Sequence, residues 1–586
     1  MQYYWFMELA RFLTKTDRGK QLLAYAILMA TIGVMISIVA PSLNAPGYLS
    51  AWDAGGHLLK ALYFADQLLP NGHLSGWFPT WHGGFDLFQF YPPMLYYLLG
   101  PLTYLFQPEL ALRLLMAWLW IGLVPATYYF LRSFDLNRIV AAAGTSFLLA
   151  LNASFGIGLG ALYGVGLLPN GLGFIMAIWT LGRLKRELSQ PERGARQLVL
   201  TGLLFGLLVL SHTFSAYWWV AASLILLATE TLGRKASTLW ALKRYAIVAG
   251  IGLLVSAYWW VPLFLGIEHM GPTGAIAQSS WSDILSGLLL AKDSGGIAMA
   301  VLAAGGLAFL AFRRRWRTLA FFGGTLAFSL LLSVNAINAI LPFGSVIGSS
   351  QFIRFQAFVA WLMLALAAVG LAGLWHLLKR IRLPFVPATA LGSIVLLLFA
   401  LVVWPTLQVK RGFINVVNNS ATDELEPTAA FLDQNLRPGE FILSEFNWES
   451  RFYYGSPHFV NQRLPMRSGK VWDLDGNFPE GTLGAVKPVL AASVMDDTAY
   501  LTSQQQYLRD RGVRYIVATH PGTRVRLAAL PWLRLAHPGR AISVFELVDF
   551  KTPLGLPAEA AAKVEAIEYE PPGRYRVQFK EPVSIP

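Results

Sequence analysis

Residues 50–93 read SAWDAGGHLLKALYFADQLLPNGHLSGWFPTWHGGFDLFQFYPP and lie between the first two long apolar segments of the chain. This stretch concentrates ionisable and aromatic side chains in a protein in which only 13% of the residues are charged. Its acidic and imidazole side chains include Asp53, His57, His82 and Asp86. Because charged groups are costly beside a membrane, such a cluster predicts a functional site. The alternative is a solvated loop in which the Asp53 side chain caps the next helix.

The composition is typical of a polytopic membrane protein. Hydrophobic residues make up 55% of the 586 residues, and the mean hydropathy is +0.49. We therefore expect a multi-pass protein of the cell (plasma or inner) membrane, surrounded by lipid, whose first apolar segment is retained. Hydropathy predicts about thirteen spans, near 21–42, 88–106, 109–131, 139–153, 155–168, 169–183, 197–213, 215–231, 245–265, 296–312, 318–338, 355–376 and 386–406.

The basic residues define an orientation for these spans. Lys and Arg cluster in four loops, which the positive-inside rule places in the cytoplasm: 183–196, 234–244, 313–317 and 379–382. The alternate loops 43–87, 266–295 and 339–353 are then outside. Because the charge of +13 resides mainly in such loops, it does not indicate nucleic-acid binding. The absence of cysteine excludes disulfides, thiolate catalysis and iron–sulfur clusters.

The composition changes near residue 406. Residues 1–406 are expected to form a transmembrane domain with 43–87 as its first extracytoplasmic loop, and 407–586 a soluble mixed α/β domain. In the second part RYIVAT (514–519), ISVFELVD (542–549) and RYRVQF (574–579) alternate like half-buried strands. With an odd number of spans, this domain lies on the same outer side as Asp53.

This topology brings distant polar residues to one level at the outer membrane boundary. His212, Glu268, His269, Gln351 and Arg354 are predicted to join Asp53, His57 and His82 around one cavity. Such a set supplies a base, metal ligands and a cation for a leaving phosphate. The alternative is that His212 and His269 only hydrogen-bond nearby backbone.

Helical periodicity separates the two acidic residues that flank the first outer helix. If 54–69 is a helix along the membrane surface, His57 and Lys60 share one face, whereas Asp66 points about 180° away from His57. Asp66 is therefore expected to be solvated and to take no part in a site with Asp53.

The order of these parts resembles the GT-C superfamily of integral membrane glycosyltransferases. In both, a first span precedes an outer loop with an acidic residue, a surface helix, a Pro- and Tyr-rich second span, further helices and an outer C-terminal domain. More narrowly, the sequence is similar to the bacterial and archaeal membrane family described as pyruvoyl-tetrahydropterin-synthase-related. The motifs that carry this likeness are Asp53 with Gly56-His57, Pro79-x-Trp81, Gly83-Gly84, Phe90-Tyr91-Pro92-Pro93, Leu210-Ser211-His212, Phe352-x-Arg354-Phe355 and Asp475-Gly476-x-Phe478-x-Glu480-Gly481.

The resemblance implies an inverting glycosyltransferase with Asp53 as the general base. The donor would be a sugar on a polyprenyl phosphate, and the acceptor an extracytoplasmic glycan, lipid or protein. Arg354 would offset charge on the departing phosphate. A divalent metal, Mg²⁺ or Mn²⁺, would assist, with Glu268 and His269 as its candidate ligands. The candidate substrate-binding residues are His57, His82, Tyr91, His212, Gln351 and Arg354.

Two other functions use the same features. A transporter or flippase of lipid-linked sugars would bind the substrate without cleaving it. Such proteins favour polar or broken helices at mid-membrane and related halves, whereas here the ionisable residues gather at the outer edge. A non-catalytic membrane subunit of an envelope assembly would use the soluble part for docking.

Overall fold

The computed structural model describes most of the chain, with gaps that fall mainly after residue 266. The described residues are 16–82, 84–151, 157–232, 235–266, 281, 294–334, 352–380, 414, 416–417, 420–437, 439–445, 459–468, 471–473, 498–550, 564–570 and 574–580. The predicted sites Glu268, His269 and Gln351, and the predicted span 386–406, lie outside these residues.

Helices make up nearly all of the described chain before residue 381. They are α1 (Asp17–Leu43), α2 (Ala54–Tyr63), α3 (Met94–Leu105), α4 (Pro108–Ser133), α5 (Arg138–Ser146), α6 (Leu168–Ser189), α7 (Ala195–Ser211), α8 (Thr213–Thr231), α9 (Lys235–Leu265), α10 (Ser294–Phe312), α11 (Trp316–Ser333) and α12 (Gln356–Arg380). A short hairpin of β2 (Gly76–Phe78) and β3 (Phe85–Leu87) follows α2 in the segment 43–87.

Five described helices are long and apolar enough to cross a bilayer. They are Asp17–Leu43, Pro108–Ser133, Thr238–Leu265, Trp316–Ser333 and Gln356–Leu377, and Arg138–Leu149, Ala195–Ser211 and Ile297–Phe312 are shorter apolar helices. The predicted membrane protein is thus supported, although thirteen spans are not reached in the described residues. The predicted span 155–168 is wrong in its described part, 157–168, which holds a π-helical turn at Gly160–Val165 and no helix long enough to cross a membrane.

Aromatic rings pack the interior of the bundle, and two of the indole N–H groups donate to hydroxyl groups. Trp218 stacks on Phe358 with ring centroids 4.0 Å apart, and its indole N–H donates to Ser329 Oγ at 2.8 Å. The indole of Trp361 donates to Thr127 Oγ1 at 3.1 Å. Such a partner offsets the cost of burying an indole N–H away from water.

Arg113 on α4 fixes the chain segment that runs from the end of α1 toward Asp53. Its buried guanidinium donates to the backbone carbonyls of Ser42 (2.8 Å), Ala45 (2.6 Å) and Gly47 (2.5 Å). These carbonyls lie at or beyond the end of α1, where carbonyl groups have no N–H partner within the helix. Arg113 therefore sets the path by which the chain enters the loop.

The described residues after 410 combine short helices with strands. The helices are α13 (Ser420–Asn435), α14 (Phe459–Arg463), α15 (Thr498–Ser503), α16 (Gln505–Asp510) and α17 (Pro521–Ala528). A four-stranded sheet has the order β5-β6-β8-β7, with β5 (Phe441–Ser444), β6 (Val513–Ala518), β7 (Leu533–His537) and β8 (Ser543–Leu547). β9 (Val564–Glu570) and β10 (Arg574–Phe579) form a separate pair. The three predicted strands fall on β6, β8 and β10.

Several contacts join this C-terminal part to the segment 43–87. β1 (Tyr48–Leu49) pairs with β4 (Val416–Val417), and Trp81 forms an isolated bridge with Asp473. Asp473 is completely buried, and its carboxylate accepts the backbone N–H of Ser444 in β5 at 3.1 Å. The sheet and the loop after α2 are thus linked through one residue.

Candidate active site

Asp53 lies in a turn held by backbone hydrogen bonds from a distant segment. The N–H of Asp53 donates to the carbonyl of Val165 at 2.9 Å, and that of Trp52 to Gly164 at 3.4 Å. Asp53 precedes α2, but its carboxylate makes no capping hydrogen bond to the first turn. The alternative of a simple helix cap is therefore wrong for the Asp53 side chain, which is half-buried.

The face shared by His57 and Lys60 points into the protein. The expected surface helix is buried from 54 to 61, and Lys60 is only 2% exposed. Its ammonium lies 5.3 Å from the ring centroid of Trp81 and 5.7 Å from that of Tyr91. Such aromatic faces stabilise a cation that has been removed from water. Asp66, by contrast, is exposed in the π-helical turn Phe64–Leu68.

His57 is held as a neutral imidazole. Its Nδ1 lies 2.9 Å from the hydroxyl of Tyr96 on α3. Burial holds the pKa of His57 well below its ordinary value, and the charges of Lys60 and Arg354 lower it further. A neutral ring can accept or pass on a proton, and it adds no charge to the site.

Arg354 connects α2 with the turn between α7 and α8. It lies in the short 3₁₀ helix before α12, and its Nη1 is 3.5 Å from His212 Nε2. Burial lowers the pKa of Arg354, while electrostatic interactions with Tyr91 and Asp53 raise it. Asp53, Tyr91 and Arg354 therefore share one electrostatic environment.

His212 caps a helix with one ring nitrogen and faces Arg354 with the other. Its Nδ1 lies 2.9 Å from Ser215 Oγ and accepts the backbone N–H of Ser215 at 3.3 Å, which caps α8. Its Nε2 faces Arg354. Gly173 on α6 makes this possible, since a Cβ there would lie 2.4 Å from the Cβ of His212.

His82 contacts the C-terminal part of the chain. Its backbone, at φ 57°, donates to the carbonyl of Asp473 at 3.0 Å, and its ring lies 6.3 Å from that of Phe85. His82 thus belongs to the contact between the loop after α2 and the C-terminal part of the chain. Asp86 is in β3 opposite Trp77, where burial raises its pKa.

The arrangement suits an anionic ligand. Lys60 and Arg354 carry two formal positive charges against the single carboxylate of Asp53, and His57 is neutral. Lys60 and Tyr96 were not among the sequence candidates, although the shared face of His57 and Lys60 was a usable signal.

Among the described residues no group of three or more His, Cys, Asp or Glu side chains could hold a metal ion. The candidate ligands Glu268 and His269 lie outside the described residues, so the expected divalent metal stays a prediction.

Comparisons with solved structures identify the fold. The chain is similar to the archaeal oligosaccharyltransferase AglB from Archaeoglobus fulgidus in complex with an inhibitory peptide and a dolichol-phosphate (13% identity, 96% of this chain and 74% of that chain, TM-score 0.52). A second structure of the Archaeoglobus fulgidus oligosaccharyltransferase, in complex with Zn and sulfate, matches at 12% identity (94% and 72%, TM-score 0.50). ArnT from Cupriavidus metallidurans bound to undecaprenyl phosphate matches at 14% identity (92% and 100%, TM-score 0.50).

The chain therefore shares the fold of these membrane oligosaccharyltransferase and ArnT structures. A family model described as 6-pyruvoyl-tetrahydropterin synthase related domain, membrane protein, matches residues 88–409, more than half of the chain. The chain belongs to this family, which confirms the narrower resemblance; for the wider one the comparisons show a shared fold. No curated protein matches the sequence. At these identities the structural likeness shows the fold alone, and the chemistry has to be argued from the site.

Proposed function

We propose that this protein transfers a sugar from a polyprenyl-phosphate donor to a hydroxyl of an extracytoplasmic glycan, lipid or protein. The observation that carries the proposal is the clustering of two cations near Tyr91, His57 and His212: Lys60 lies 5.7 Å from the ring centroid of Tyr91, and Arg354, which interacts electrostatically with Asp53, lies 3.5 Å from His212. In this proposal the Asp53 carboxylate supplies the base, and Lys60 and Arg354 supply the phosphate-binding groups. The lipid phosphates bound to AglB and ArnT support the donor class.

The proposed reaction is a single displacement. Asp53 removes the proton of the acceptor hydroxyl as its oxygen attacks the anomeric carbon, and the bond from that carbon to the phosphate oxygen breaks. The phosphate leaves with the bonding electron pair, and Lys60 and Arg354 stabilise its charge. The attack comes from the face opposite the lipid, so the anomeric configuration is inverted.

The remaining site assignments belong to the same proposal. His57, Tyr91 and His212 would contact the donor, and His82 would position the loop. Gln351 would contribute to substrate binding, and Glu268 and His269 to a divalent metal, from outside the described residues. The membrane orientation is also proposed: the Asp53 loop and residues 407–586, as a separate domain, on the outer side of the inner or plasma membrane.

Replacement of Asp53 by Asn tests the proposal. In proteoliposomes with an undecaprenyl-phosphate-linked sugar and an acceptor, D53N should lower transfer about 10²- to 10⁴-fold, as expected for loss of a general base. D66N is the matched control, because it alters an exposed acid of the same loop and should leave transfer unchanged. A flippase would retain lipid flux in D53N, and a scaffold would tolerate both changes. Either result contradicts the proposal.

A further inference from the structure

The short helix α14 (Phe459–Arg463), in the C-terminal part of the chain, lies directly against α2. Two consecutive residues of α14 contact the two segments that flank the candidate site. The carbonyl of Asn461 accepts the indole N–H of Trp81 at 2.9 Å. The side-chain amide of Gln462 donates to the carbonyl of Trp52 at 2.7 Å. Gln462 is 1% exposed, so water does not replace this contact.

The position of α14 is itself determined by the membrane part. Arg463 forms an ion pair with Glu109 in the first turn of α4, and its guanidinium lies 4.4 Å from the ring of Tyr48. Arg467, just after α14, donates to the hydroxyl of Tyr48 at 2.8 Å. Contacts with β1 and α4 therefore hold α14 in place. The side-chain amide of Gln462 contacts Trp52 from this fixed position.

The helices α14 and α2 pack closely against each other at Gly55. A Cβ added at Gly55 would lie 2.5 Å from Gln462 Oε1 and 3.2 Å from Arg463 Nε. Glycine at this position lets the amide reach the carbonyl of Trp52, the residue before Asp53. On the other side, the carbonyls of Gly164 and Val165 accept the N–H groups of Trp52 and Asp53. The Asp53 turn is therefore held between two segments.

We propose that Gln462 is a positioning residue of the site, fixing the turn that carries Asp53. Through Asn461 the same helix also holds Trp81, whose ring faces the Lys60 ammonium. The C-terminal part thereby sets the placement of the base and of a phosphate-binding cation together. This inference rests on the proposed function only for its catalytic consequence; the positioning itself can be measured without a substrate.

The test uses the full-length protein in nanodiscs with Gln462 replaced by Met. Q462M keeps the volume of the side chain and removes its N–H donor. Loss of one hydrogen bond should make amide exchange in a peptide covering 52–57 about fivefold faster or more. Q506M, an exposed change on α16, is the control. If exchange in 52–57 is as slow in Q462M as in the wild type, the inference is wrong.

Kinetics separate positioning from a merely structural role. With an undecaprenyl-phosphate-linked sugar, Q462M should lower kcat about tenfold and leave KM for the donor unchanged, since Lys60 and Arg354 remain. G55A displaces the same amide from the other side. It should likewise lower kcat and leave KM for the donor unchanged. G250A, where a Cβ meets nothing within 4 Å, is its control. If the wild type transfers sugar and both variants match its kcat, the inference is overturned. If exchange changes as expected but the wild type transfers no sugar, the proposed function fails instead.

Discussion

Gly166 lies against the backbone of Asp53, 113 positions earlier in the chain. Its φ of +86° is in the left-handed region, and a Cβ there would lie 2.7 Å from the N of Ala54 and 3.0 Å from that of Asp53. Glycine therefore serves two requirements at once, the backbone conformation and the close approach. The carbonyl just before it, that of Val165, accepts the N–H of Asp53. The candidate base is thus placed by a segment between α5 and α6.

Replacement of Gly166 by Ala should impair both the stability and the activity of the protein. The left-handed conformation costs a non-glycine residue about 1–2 kcal/mol, and the clash with Ala54 adds to that cost by moving the Asp53 turn. We expect at least a tenfold loss of sugar transfer. The control is G72A, which has φ +73° but nothing within 4 Å of the added Cβ. Equal activity of the two variants would contradict the role given to this contact.

Removal of the Lys60 charge should weaken donor binding. K60M keeps most of the buried aliphatic length between Trp81 and Tyr91 but loses the ammonium. Charge-assisted hydrogen bonds contribute about 1.5–3 kcal/mol, so KM for a polyprenyl-phosphate donor should rise about 10- to 100-fold. Binding of undecaprenyl phosphate alone, measured by isothermal titration in detergent, should weaken in parallel. K243M changes an exposed lysine on α9 and should have no effect. An unchanged KM in K60M would exclude Lys60 from phosphate binding.

His57 should make the protein less stable in mild acid. Because burial, with Lys60 and Arg354, holds its folded pKa below the ordinary value, the unfolded chain takes up a proton first as the pH falls below about 6.5. Unfolding is thereby favoured by about 1 kcal/mol for each pH unit below that value, down to the folded pKa. The loss of thermal stability between pH 7.5 and 5.5 should therefore be larger in the wild type than in H57Q. Equal losses would show that His57 is not held neutral.

The sequence predicted the candidate site where simple periodicities apply. Basic loops define which helix ends face the same side, so Asp53, His212 and Arg354 could be placed at one level. The helical repeat put His57 and Lys60 on one face. Each of these arguments uses only neighbouring residues or the alternation of spans.

Contacts across long separations could not be predicted in this way. Nothing near Gly166 or Gln462 in the sequence indicates that either meets the Asp53 turn, because such contacts depend on how finished elements pack. Hydropathy also fails for 155–168: Gly158 and Gly166 have φ +98° and +86°, which end any regular helix, yet the segment is apolar because it is buried. The backbone contact of His82 with Asp473 is a further contact of this kind.

The proposed orientation can be tested directly because the chain has no cysteine. Single variants N71C, Q506C and E192C place a thiol at exposed positions in the Asp53 loop, on α16 and between α6 and α7. In intact cells a membrane-impermeant maleimide should label N71C and Q506C, whereas E192C should react only after permeabilisation, because the basic loop 183–196 is expected in the cytoplasm. Retained transfer activity in each variant provides the control for correct folding. Labelling of E192C in intact cells, or protection of N71C, would place Asp53 on the cytoplasmic side and remove the basis for an extracytoplasmic acceptor.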